Sequence, residues 1–125
     1  MGNKIKTVTV SDLVSKEGPV ELGHFEILKI VSGLATVATK FPDHGILVDL
    51  RNTIPPAAGI NELIEIASEI GKWAKVFDNK LASVIPDEKV RIASAEKMKT
   101  CFNLMGFHYE VFTDYDAAVK WLSEV

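Results

Sequence analysis

The sequence predicts an α/β protein with a mostly parallel sheet of four or five strands and about four helices. Short segments that are apolar or alternating take turns with longer segments whose polar residues recur every three or four positions. The apolar run in "HGILVDL" is typical of a strand covered on both faces. Strands that alternate with helices favour parallel pairing through crossover connections. At 125 residues, the chain is expected to form a single domain, residues 1–125.

The first half of the chain contains two predicted strands, a long helix and the buried strand. The segment "KTVTV", residues 6–10, is alternating and β-branched, and residues 20–22 form a shorter candidate strand. Residues 25–41 are rich in β-branched side chains, but the spacing of their polar residues by three and four predicts a helix. That helix is expected to bury the stripe Ile27, Ile30, Val31, Leu34, Ala38 and Phe41.

The second half continues the alternation of strands and helices. Residues 60–77 have the clearest helical stripe of the sequence, and "KLASVIP" is the predicted strand that follows. We expect Asp87 to cap a helix over residues 88–105 and Gly106 to close it. The segment "FHYEVF" alternates as a last strand, and Asp114 is expected to cap a final helix. The inward positions of this helix are Tyr115, Ala118, Trp121, Leu122 and Val125.

Polar residues follow three of the predicted strands, at residues 49–53, after Pro86 and at Asp114. The carboxyl ends of parallel strands share one edge of a sheet, where α/β proteins meet ligands and partners. Asp49 and Arg51 are predicted to lie there together. The pair would either contact an anion or partner, or simply tie the loop. The segment 55–59, which ends in Gly59, suits either plain helix initiation or an anion site at free N–H groups.

Composition narrows the classes of function. The net charge is −3, and acids and lysines are mixed along the helices, so no basic surface indicates a nucleic-acid partner. Cys101 is the single cysteine, so neither an intrachain disulfide nor a cysteine-based metal site can form. The single cysteine and the absence of an apolar signal core predict a cytoplasmic location.

Side chains that could carry chemistry are scattered. His24, His44 and His108 lack metal-ligand spacing, so we expect surface or loop histidines and no metal. Cys101 is interpreted as a small core residue of a helix, not as a nucleophile. We find no phosphate-binding loop, dinucleotide fingerprint, nucleophile elbow or zinc-protease motif. The sequence is therefore expected to belong to a protein that is not an enzyme and that holds no cofactor.

Three stretches carry a family resemblance: "GHF" at 23–25, "VDLR" at 48–51, and "VFTD" at 111–114 with the alanines and "WL" that follow. In this order and spacing they resemble the STAS superfamily of sulfate-transporter and anti-sigma-factor-antagonist domains, and its SpoIIAA-like branch in particular. The resemblance covers residues 23–125 and implies a single SpoIIAA-like fold. That fold is also similar to the CRAL-TRIO lipid-binding core.

In anti-sigma-factor antagonists, the corner after the third strand carries an Asp-Ser-Ser-Gly type motif whose serine is phosphorylated, which releases a partner. On this chain the motif falls on residues 56–59. Gly59 matches the family glycine, but prolines and alanines, Ala57 among them, replace the acid and the hydroxyls. Asn52 and Thr53 are the nearest polar residues. The resemblance therefore implies the fold and a partner-binding corner without the phosphoacceptor serine.

Three functions remain open at this stage. The preferred one is a non-catalytic STAS-like regulatory module that docks a protein partner, as a monomer or a homodimer. The residues expected to bind this partner or an anion are Asp49, Arg51, Asn52, Thr53, Ala57 and Gly59. The alternative is a binding protein for a small apolar or anionic ligand, a lipid or a metabolite, with a CRAL-TRIO-like core. An enzyme with an unrecognised site is the third.

Overall fold

The computed structural model describes residues 4–14, 20–21, 24–54, 65, 68, 71–73 and 79–124. Within them lies an α/β fold with a four-stranded, all-parallel sheet in the order β1-β3-β5-β6. Its strands are β1 (Lys4–Thr9), β3 (His44–Asp49), β5 (Lys80–Val84) and β6 (His108–Phe112). A separate two-stranded parallel sheet, which the sequence did not indicate, pairs β2 (Val20–Glu21) with β4 (Thr53–Ile54). The predicted short strand at 20–22 thus joins this second sheet and adds no fifth strand to the first.

Three of the described helices have nine residues or more, and a short helix of five residues precedes them in the chain. Most of the helix predicted over residues 60–77 lies outside the described residues. The structure describes only Glu65, Ser68 and the 3-10 turn Gly71–Trp73 in this range. None of the helices in the described ranges is long and apolar enough to cross a membrane. The helices are α1 (Val10–Val14), α2 (His24–Lys40), α3 (Lys89–Leu104) and α4 (Tyr115–Ser123).

Helix α2 confirms the periodicity argument. Val31, Leu34 and Ala38 are buried, and Ile27 is partly buried against the same cluster. Gly33 lies where α1 crosses α2, since a Cβ atom at this position would lie 2.7 Å from Leu13 Cδ2. The residue that weakens the helix by propensity therefore permits close packing of two helices.

The core is divided between the two faces of the sheet. Ile46 and Val48 of β3 point into a cluster that α2 and α3 cover, while Leu47, between them, points into a second cluster beneath α4. All three side chains are at most 2% exposed, which confirms that both faces of this strand are covered. Of the inward positions predicted for α4, Ala118 and Leu122 are fully buried in the second cluster, and Tyr115 and Trp121 are partly buried against it. Val125 lies outside the described residues.

The ends of α3 and α4 test the predicted caps. Asp114 does cap α4, because its side chain accepts a hydrogen bond of 3.2 Å from the Asp116 N–H. The prediction that Asp87 caps α3 is wrong. The residue at that boundary is Glu88, which makes no side-chain capping bond. Pro86 is the reason, since its carbonyl accepts from the Glu88 N–H and so places Asp87 inside a turn. Gly106 follows α3 with a φ of 102°, as expected of a closing glycine.

Strand β6 is an edge strand, and side chains cap its outer main-chain groups. The Asn103 amide donates to the Tyr109 carbonyl and accepts from the Tyr109 N–H, both at 3.1 Å. The Glu110 carboxylate accepts from the Val111 N–H at 3.0 Å and pairs with Lys99 at 2.8 Å. Asn103 therefore occupies the place of a neighbouring strand, and the edge is protected from pairing with another chain.

Replacing Asn103 by alanine is expected to lower the free energy of unfolding by about 1 kcal/mol, because water replaces its two part-buried hydrogen bonds to the main chain of Tyr109. The exposed edge should also promote self-association at high concentration. Urea unfolding and sedimentation velocity measure the two effects. Lys97→Ala, at an exposed position of the same helix, is the control. An Asn103→Ala variant as stable and as monodisperse as the control would contradict the capping role.

Candidate functional site

The carboxyl ends of the strands lie at one edge, as the alternating order predicted. Hydrogen bonds continue past the strand ends, from Leu50 N–H to the Val84 carbonyl at 2.7 Å and from Ile85 N–H to the Phe112 carbonyl at 2.8 Å. The segments after β3, β5 and β6 therefore start from adjacent positions. We call residues 49–53, which leave β3 at this edge, the docking loop.

Asp49 and Arg51 form a tight pair within the docking loop. The Asp49 carboxylate accepts three hydrogen bonds from Arg51, from the backbone N–H at 3.0 Å, Nε at 2.9 Å and Nη2 at 2.8 Å. The hydrogen bonds from the Arg51 side chain hold the pKa of the Asp49 carboxyl below its ordinary value. Asp49 therefore ties the loop, and it fixes the guanidinium while the Arg51 side chain stays 49% exposed.

Tyr115, the first residue of α4, supports Arg51 from a second side. Its ring centre lies 5.5 Å from the guanidinium carbon, which is a cation–π distance. Its hydroxyl is 3.4 Å from the Thr7 hydroxyl on β1. The sequence indicated Tyr115 only as an inward position of the last helix. Its contact with Arg51 spans 64 positions of the chain, and no local pattern could have shown it.

Thr53 is held at the end of the docking loop by a buried arginine. Arg91 of α3 is 6% exposed and donates from Nη1 to the Thr53 carbonyl at 2.9 Å and from Nη2 to its hydroxyl at 2.7 Å. The Thr53 hydroxyl in turn donates to the Leu50 carbonyl at 2.6 Å. Burial lowers the pKa of Arg91 from its ordinary value, yet a guanidinium remains charged at neutral pH. Sequence reasoning missed Arg91, because it sits among other polar residues of an ordinary helix.

An open cleft of about 540 Å³ lies beside the docking loop. Thr9 and Val10, at the junction of β1 and α1, form one wall, and Asp49, Arg51 and Asn52 form the other. The Thr9 hydroxyl is oriented by the Asp12 N–H, which donates to it at 3.2 Å. We call this space the Arg51 cleft. It combines a charged pair with hydroxyl and amide groups, so it can accept a hydrogen-bonding ligand or side chain.

Four of the six residues predicted for the site therefore lie together in the docking loop: Asp49, Arg51, Asn52 and Thr53. Thr53 differs from the others, since it is 9% exposed and points inward. Ala57 and Gly59 lie outside the described residues.

The remaining reactive side chains lie apart from the cleft. His108 is exposed on β6, and the Nδ1 atom of His44 lies 2.8 Å from a carboxylate oxygen of Asp43. Cys101 is only half-buried, although its neighbours in α3 pack against the core. The Ser83 hydroxyl is buried and accepts from Tyr109 at 2.8 Å. Within the described ranges, no group of three or more histidine, cysteine or acidic residues is placed to hold a metal ion.

Comparison with known proteins leaves the family assignment open. No family model, no curated protein and no solved structure matches the chain.

Proposed function

We propose that this chain is a non-catalytic regulatory module of the STAS/SpoIIAA-like kind, which docks a protein partner through Arg51. The observation that carries the proposal is the presentation of Arg51 at the carboxyl edge of the sheet. Asp49 holds two of its side-chain nitrogens and the guanidinium lies over the Tyr115 ring, while half of the side chain stays accessible. Arginine is enriched among residues that dominate binding energy at protein interfaces.

The rigidity of the docking loop supports this proposal. Leu50 is bonded to β5, Thr53 is bonded to α3 through Arg91, and Asp49 is bonded to Arg51. A loop that is already ordered loses little conformational entropy when a partner binds. The loop is therefore suited to recognition without a large rearrangement.

The environment of Thr53 supports regulation by occupancy, without phosphorylation of the loop. Thr53 carries the single side-chain hydroxyl of residues 49–53. This hydroxyl accepts a hydrogen bond from Arg91 and donates one to the Leu50 carbonyl. A kinase would have to break both hydrogen bonds and extract a nearly buried side chain. The sequence at 56–59, where the resemblance would place the phosphorylated motif, has no serine or threonine either. We infer that partner release depends on competition for Arg51.

A second candidate function, the binding of a small anionic metabolite, is favoured by the Arg51 cleft. Its volume of about 540 Å³ falls in the range of small-molecule sites. The exposed guanidinium would contact an acid group, with Thr9 and Asn52 beside it. Asp49 already neutralises much of the charge of Arg51, which favours a protein partner over a free anion.

The experiment that tests the function is native mass spectrometry of the protein isolated from its source cells. Arg51→Ala is expected to leave folding intact, with a change in unfolding free energy within about 1 kcal/mol, because exposed ion pairs contribute little. It should reduce the co-isolated partner roughly tenfold or more, as for an interface hot spot. The mass of the bound species distinguishes a protein from a metabolite.

Lys97→Ala is the matched control, since it removes an exposed positive charge on α3. Retention of the partner by Arg51→Ala at the control level would contradict docking through Arg51. Unfolding of Arg51→Ala would show instead that the Asp49–Arg51 pair serves only to hold the fold.

A further inference from the structure

A second recess lies at the same edge, between α3 and α4 at the end of β6. Its volume is about 320 Å³. Its floor is apolar and consists of Ile85, Ile92, Val111, Phe112 and Ala117. Its rim carries Glu96 and Asp114, with Thr113 beside them. We call it the acidic groove. It shares no described lining residue with the Arg51 cleft.

The sheet order explains why this groove exists. Helix α3 packs on one face of the sheet and α4 on the other, as their separate core clusters show. Strand β6 is the last strand of the sheet among the described residues, and none of the other described strands fills the space between the two helices beyond it. Side chains from both faces, Val111 and Phe112, are therefore only partly buried at the end of β6.

The capped edge of β6 determines how a partner could use the groove. Asn103 and Glu110 already bond the outer main-chain groups of Tyr109 and Val111. A partner strand would have to displace these bonds to extend the sheet. Insertion of a side chain into the groove requires no such displacement, so we expect side-chain recognition instead of strand addition.

The rim of the groove is negatively charged. Both acids are exposed residues, and its described lining contains no basic residue. Lys99 lies 3.6 Å from Glu96 but only 2.8 Å from Glu110, so it is shared between two carboxylates. One Asp114 oxygen accepts from the Asp116 N–H. The apolar floor and this rim are complementary to an apolar side chain that has a cationic neighbour.

We propose that the acidic groove binds a protein segment in which an apolar side chain stands next to lysine or arginine. The apolar side chain occupies the floor between Ile92 and Ala117. The basic residue lies against Glu96 and Asp114. This surface does not depend on Arg51, so the module would contact partners at two places on one edge.

The test is a titration of the full chain, followed by amide NMR, with the acetylated and amidated tripeptide Lys-Leu-Lys. Amide signals of Ile92, Thr113 and Ala117 should shift, with binding that weakens as salt increases. The double variant Glu96→Gln, Asp114→Asn should bind at least about fivefold more weakly, since the rim charge is lost. Asparagine caps helices as well as aspartate does, so α4 is retained.

The peptide Glu-Leu-Glu and the double variant Asp12→Asn, Glu65→Gln, which removes two exposed acids elsewhere, are the controls. Equal binding of the two peptides, or an unchanged affinity in the groove variant, would overturn the proposal. Shifts confined to residues of the Arg51 cleft would overturn it as well. Groove signals that move with protein concentration alone would assign the surface to a second copy of the chain.

Discussion

Replacing Leu34 by alanine is expected to lower the free energy of unfolding by about 2–5 kcal/mol. Leu34 is 3% exposed and lies in the cluster that joins α2 to the sheet. Truncation removes buried apolar surface and leaves a cavity that the other side chains of this cluster fill only in part. Urea unfolding followed by circular dichroism measures the change.

Ser32→Ala is the control for this prediction, because Ser32 is exposed on the same helix. Its effect should stay within about 0.5 kcal/mol, as is usual for surface substitutions. A loss below about 1 kcal/mol for Leu34→Ala would mean that the residue is not part of the core.

Replacing Arg91 by methionine is expected to destabilise the protein by roughly 2–3 kcal/mol, even though methionine fills much of the same space. The variant loses two charge-assisted hydrogen bonds and leaves the buried Thr53 carbonyl without its Arg91 partner. The expected loss exceeds that of an ordinary surface change, because both hydrogen bonds between Arg91 and Thr53 are buried.

A double-mutant cycle with Thr53→Val isolates the contact between Arg91 and the threonine hydroxyl. We expect a coupling energy of about 1 kcal/mol or more, since the side chains share a bond of 2.7 Å. Lys97→Met, on the solvent-exposed side of the same helix, should be nearly neutral. Additive effects of the two substitutions would show that the hydroxyl and the guanidinium do not stabilise each other.

The two recesses at the carboxyl edge differ in chemistry. The Arg51 cleft presents a guanidinium whose charge is shared with Asp49, and the acidic groove presents an apolar floor beneath two carboxylates. A partner that contacted both would need an acceptor group for the first and a basic, apolar segment for the second. The two sets of variants separate these contributions, because each leaves the other recess intact.

Features set by neighbouring residues could be predicted from the sequence alone. The three-and-four spacing of residues 25–41 identified α2, the alternation in "FHYEVF" identified β6, and Asp114 was identified as a cap. Each depends on interactions within a few positions of the chain. The common edge for Asp49, Arg51 and Asp114 followed from topology, since parallel strands end on the same side. The predicted cap of α3 at Asp87 was wrong although it too is a local feature, because the turn at Pro86 places the helix boundary one residue later, at Glu88.

Only the tertiary structure decided what these residues contact. Tyr115 against Arg51, Arg91 on Thr53 and the groove between α3 and α4 each join segments that are far apart in the chain. The pairing of β2 with β4 is of the same kind. The sequence by itself determined which segments become strands and helices and which polar residues reach the carboxyl edge, because periodicity and capping act locally. The partners of Arg51 and the inward position of Thr53 depend on how the helices pack over the sheet, and no local pattern encodes that packing.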